Sequence, residues 1–157
     1  MVIIFSGIKI NVAAEGKFSI QITNNSGGED STKSILTNLF IYDIKEGIRK
    51  SSIMKIYNPN KDKYKIVIYM MTIPKYENNP DSAIIYSVVW RYESNDYDKS
   101  IYIGATLGYC GNQVYKEYAK NLVVYTDQLV NNEGVKEYIG LNKKVNIFEG
   151  LKLEDTE

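Results

Sequence analysis

Asp81 and Glu93, with Lys63 and Lys65 upstream, are residue types from which a metal-dependent nuclease builds its centre. In such a centre two carboxylates hold a divalent cation against the phosphate and a lysine offsets the developing charge. The usual spacing is missing, because no Glu-x-Lys follows a suitable Asp on the next strand. Cys110 offers a thiol nucleophile, but there is no histidine in 157 residues. Neither a Cys-His pair nor a Ser-His-Asp relay can be assembled, and imidazole-dependent zinc sites are excluded with them. Lys116 and Glu117 are the groups left to serve that thiol as a base. Ser52-Ile53-Met54-Lys55 matches Ser-x-x-Lys without the companion motifs of that enzyme class. Glu93, Asp96 and Asp98 crowd one turn with hard oxygen ligands, yet the EF-hand glycine and glutamate positions hold Ile101 and Leu107. We expect no metal and no cofactor.

The segment from Gly104 to Asn112 is the nearest approach to an anion site. Read as the link between a strand and a helix, Gly108, Gly111 and Asn112 would expose backbone N–H groups at a helix N-terminus, where anions bind. The same position would lower the pKa of Cys110. Both standard phosphate signatures fail: Gly111 is followed by Asn112-Gln113 rather than Lys and Ser or Thr, and Thr106 stands where a dinucleotide loop needs glycine.

Tyrosine is abundant, with 14 copies. Arg49, Lys50, Lys55, Tyr57, Lys61, Lys63, Tyr64, Lys65 and Tyr76 form a basic, tyrosine-interleaved stretch opposed in sequence by Glu46 and Asp62. Bases can stack on such tyrosines while lysines hold phosphates. Tyrosine serves protein interfaces equally well, having a large area, few rotatable bonds and a polar tip. Lysine plus arginine balance aspartate plus glutamate at 19 each, so the chain lacks the overall basicity of a protein that coats nucleic acid.

These residues need a scaffold, and hydrophobic periodicity predicts one. Residues 2–24 alternate as a hairpin around Glu15-Gly16. An apolar stripe of Ile35, Leu36, Leu39, Phe40 and Ile44 predicts a helix over 32–46, with Asp30, Ser31 or Thr32 as N-cap and Gly47 as C-cap. Strands at 52–57, 64–73, 83–92 and 101–107 read as a four-stranded antiparallel meander. Val114, Tyr118, Leu122, Tyr125 and Leu129 recur at helical spacing over 113–130, although 122–125 alone would suit a strand. A short strand at 145–148 precedes an acidic tail over about 149–157.

The expected fold is one α+β domain over 1–157, a mostly antiparallel sheet of order ββ-α-ββββ-α-β packed with two helices. One cysteine permits no internal disulfide, no stretch reaches the ~20 apolar residues of a membrane span, and the opening residues lack a signal peptide's basic leader. We therefore expect a cytoplasmic protein with no membrane association. The Ile, Lys, Asn and Tyr bias suits an AT-rich genome such as that of a virus or mobile element. The leading functional expectation is a non-enzymatic interaction or assembly module with a protein partner or a second copy of itself. The alternative is a nucleic-acid binder or a carboxylate- and lysine-based nuclease.

Overall fold

Along residues 83–94, Ile84, Tyr86, Val88, Trp90 and Tyr92 alternate with Ile85, Ser87, Val89, Arg91 and Glu93. Strand side chains point to opposite faces in turn, so the first five share one face, and all five are buried there. That alternation sets the layering of the molecule. The computed structural model describes residues 17–25, 34–95 and 100–137. The first strand of the expected hairpin, the strand at 145–148, the acidic tail, Asp96 and Asp98 lie outside the described residues.

The chain runs β1 (Phe18–Asn24), α1 (Ile35–Lys50), β2 (Met54–Ile56), β3 (Tyr64–Pro74), β4 (Ala83–Ser94), β5 (Ser100–Gly111) and α2 (Tyr115–Asn131). It forms an α+β domain whose five-stranded, mostly antiparallel sheet has the order β2-β1-β3-β4-β5. The meander is realised by β3, β4 and β5 but excludes β2. β1 inserts between β2 and β3 and pairs parallel to both. Parallel neighbours need a crossover connection, and α1 supplies one between β1 and β2. The return from β2 to β3 manages with residues 57–63, because β2 has only three residues and little length must be regained.

Both helices lie on the face of Trp90. Leu36, Phe40, Ile44 and Ile48 of α1 and Ala119, Leu122 and Val130 of α2 join Ile20, Ile66, Ile68 and Met70 in one core. Each helix is turned slightly from its expected stripe, leaving Ile35 and Leu39 of α1 and Tyr125 of α2 exposed. Small residues explain the turn of α2. Ala119 and Thr126 occupy its inner face, so its backbone approaches the sheet closely. Trp90 Nε1 donates to Thr126 Oγ1 at 2.9 Å, and that hydroxyl donates to Leu122 O at 2.8 Å. A buried indole N–H is costly without an acceptor.

The termini of α1 also differ from expectation. Its N-cap is Ser34, whose Oγ accepts from Thr37 N at 3.2 Å. Gly47 lies inside the helix rather than at its end, since the apolar stripe continues to Ile48. Its role is steric: a Cβ there would lie 2.7 Å from Val123 Cγ2, where α1 meets α2. Alanine in a helix normally gains about 1 kcal/mol over glycine. At this crossing Gly47→Ala is expected to lower stability instead, by about 1–2 kcal/mol net of that gain, because valine is stiff and cannot move aside. Urea unfolding checks this. In a Val123→Ala background the same substitution should become neutral or stabilising; an unchanged cost there would rule out the crossing as its cause.

Candidate functional site

Helices cover one face of the sheet, and the candidate site is the other. The strand register arranges this open face in rows. Ile73, Ile85 and Tyr109 form one row, and Met71, Ser87 and Leu107 the next. Tyr69, Val89 and Ala105 follow, then Val67, Arg91 and Tyr102, and finally Lys65, Glu93 and Ser100. The face therefore grades from apolar, beside the β3–β4 turn, to charged at the opposite end.

The charged end is bridged. Residues 57–63 cross β1 on this side, and their contacts hold them down. Asp62 Oδ1 lies 2.5 Å from Lys55 Nζ, and Asp62 Oδ2 accepts from Asn58 N at 2.8 Å. The Lys65 ammonium lies 4.9 Å from the centre of the Tyr57 ring. Tyr57 Oη donates to Asn95 Oδ1 at 3.0 Å, and Asn95 Nδ2 donates to Asp62 O at 2.8 Å. Val67, on this face, is buried. Burial alone would raise the Asp62 pKa, but hydrogen bonds from Lys55, Asn58 and Ser19 overrule it and hold the carboxyl below its ordinary value.

The nuclease candidates are placed far apart. Glu93 belongs to the charged row: its Oε1 accepts from Tyr69 Oη at 2.8 Å and Ser100 Oγ at 3.2 Å, and its Oε2 lies 3.9 Å from Lys65 Nζ. The hydrogen bond to Glu93, with burial, pushes the Tyr69 phenol up. Asp81 lies beyond the other end of β4 and serves α1, its Oδ1 accepting from Ser34 Oγ at 3.0 Å and Leu36 N at 3.3 Å. The extended stretch from Ala83 to Glu93 alone spans roughly 33 Å, so one metal ion cannot take both carboxylates. Among the described residues no three Cys, Asp or Glu side chains gather as a cation site requires.

The basic stretch is partly gathered. Arg49 and Lys50 at the end of α1, Lys55 of β2, Lys61, Lys63 and Lys65 share the charged end of the sheet. Three of them are engaged, Arg49 with Glu46, Lys55 with Asp62 and Lys65 with Glu93. Tyr64 faces the other way and stacks on Tyr92 at 5.9 Å. Tyr76 belongs to the opposite end, where Lys75 lies over its ring at 5.3 Å and over that of Tyr109 at 4.6 Å.

The expected anion loop is strand. Residues 104–111 belong to β5, and α2 begins only at Tyr115, after a Val114 N-cap without a side-chain hydrogen bond. Gly108 makes room for an aromatic ring, since a Cβ there would lie 2.5 Å from Tyr86 Oη. Gly108→Val should thus disturb the core rather than an anion site. Cys110 points into that core, and burial pushes its thiol up to about 11, the reverse of a helix-terminus effect. The exposed Met71, Ile73 and Leu107 escaped sequence reading because alternation is symmetric and does not say which face the helices choose. The signal was there in β5, where Tyr102, Leu107 and Tyr109 face outward while Gly104 and Gly108 face inward.

Two outcomes follow from these environments. About one Cys110 thiol in a thousand is ionised at pH 8, so an aromatic disulfide reagent should leave the folded protein unlabelled for hours and react once urea is added; rapid native labelling would contradict the buried placement. Asp62 has a depressed pKa, so its contribution is present above the unfolded carboxylate pKa, about 3.9, and is lost as pH falls through the folded value. Asp62→Asn should therefore destabilise the protein at pH 7 in urea titrations, and the gap from the parent should close toward pH 2–3.

No family model matches the chain, and no curated protein matches it. Among solved structures it is similar to the hypothetical protein CT253 from Chlamydia trachomatis, at 11% identity and a TM-score of 0.35, with 80% of this chain and 96% of that chain covered.

Proposed function

We propose that this chain is a non-enzymatic interaction module that binds a protein partner through the apolar half of its open sheet face. One observation carries the reading: Leu107 is 75% exposed, Tyr109 60%, Met71 50% and Ile73 41%, and the strand register places them side by side. Contiguous exposed apolar surface of this kind marks interaction sites. The absence of histidine from the sequence and the separation of Asp81 from Glu93 speak for binding rather than catalysis. No described helix is long and apolar enough to cross a membrane. The proposal includes a cytoplasmic setting and an AT-rich viral or mobile-element origin, which rest on cysteine usage and composition.

A second reading, nucleic-acid binding at the charged end, is favoured by Lys61 and Lys63 in the segment that follows Tyr57 and by Lys65, whose ammonium lies over the Tyr57 ring. Its affinity would fall steeply with salt. The readings separate in one pair of experiments. Met71→Lys with Ile73→Lys should keep the fold by circular dichroism yet lose partners that the parent captures, and DNA and RNA mobility shifts should be absent at low salt. Unchanged capture by the variant, with shifts that collapse as salt rises, would give the site to nucleic acid.

A further inference from the structure

The two edges of the sheet are not alike. β2 closes one side with three residues and carries Lys55. β5 closes the other with twelve residues, Ser100 to Gly111, which include no charged residue and no proline. Edges usually carry lysines, prolines or short strands, because exposed N–H and C=O groups recruit further strands. Among the described residues, no backbone hydrogen bond joins the stretch 100–110 to anything but β4. Both flanks of this edge are apolar. Tyr102, Leu107 and Tyr109 stand on the open side, and Tyr125 and Leu129 of α2 lie over Gly104 on the other.

We propose that β5 pairs with the β5 of a second copy of this chain, antiparallel about a two-fold axis, joining two five-stranded sheets into one of ten strands. The inference rests on the reading of the chain as an interaction protein and adds the sheet edge beside that face as its contact, with a second copy as partner. Charge identifies that partner. A strand paired with itself sets its own residues opposite one another, so any charge near the axis faces its like, which is destabilising. β5 has none to oppose, and the chain's net charge of zero adds no repulsion between copies. Tyrosine and leucine flanks meet their equivalents, the cross-strand pairs that stabilise sheets. A contact roughly 40 Å long and ~15 Å tall covers roughly 600 Å² per copy, the lower end of specific interfaces. The pairing closes on itself: among the described strands it uses the long edge of each copy and leaves the short β2 edges outward, so assembly stops at two.

Sedimentation of the full chain across a concentration series tests this, alongside amide hydrogen exchange of β5. A species of twice 17.9 kDa is expected, with exchange of residues 100–111 slowing as concentration rises. Ala105→Lys with Leu107→Lys should weaken dimerisation at least about tenfold, or ~1.4 kcal/mol, while the fold by circular dichroism stays intact. Tyr42→Lys, on the exposed side of α1, should leave the dimer unchanged. A monomer at every concentration, or a dimer that the β5 pair leaves unchanged, would overturn self-pairing through this edge. The first of these results leaves the interaction reading to be judged by partner capture, so the two fail separately.

Discussion

The structure depends on α2 being held tightly to one side of the sheet. Trp90 and Thr126 fasten it, since the indole N–H has its acceptor only when the helix sits in one register. The surrounding residues allow the approach. Gly104 lies under Tyr125 and Leu129, the Tyr125 ring meets Trp90 edge-on at 5.0 Å, and Gly47 admits Val123 where the helices cross. A bulky residue at any of these points would lift α2 from the core. With both helices committed to one face, nothing among the described helices shields the other, and its apolar half lies bare.

That bare half differs from its charged neighbour in how completely its groups are answered. At the charged end, carboxylates, ammonium groups and phenols meet one another, and the segment 57–63 covers what would otherwise be open. Groups so occupied have little left for a ligand. Exposed ion pairs add little stability by themselves, but this set also anchors a connection too short for a helix. Among the described residues the apolar end has no such internal use.

Much of this architecture was legible in the chain. The run of β-branched and aromatic residues over 83–92 read correctly as a strand, and both helices read correctly as helices because their apolar positions recur every three to four residues. Tertiary effects were not legible. Gly47 resembled a helix stop because its reason for being glycine is Val123, on an element 76 residues later by subtraction of their numbers. Gly108 and Gly111 resembled a loop because the ring covering Gly108 comes from β4. Asp81 could pass as a catalytic carboxylate until its hydrogen bonds to Ser34 and Leu36 were seen. The place of β2 beside β1 was likewise invisible, since no periodicity reports on strand order.

The insertion of β1 between β2 and β3 has a kinetic consequence. β3, β4 and β5 follow one another with tight connections, so their ladders close over short loops and can form early. β1 precedes every other described strand, yet both its neighbours come after the whole of α1. Its pairing must therefore close long loops on either side, the slower kind of contact to make. The described sheet is then completed around its meander rather than in chain order, with β1 entering after strands that follow it in sequence are already built.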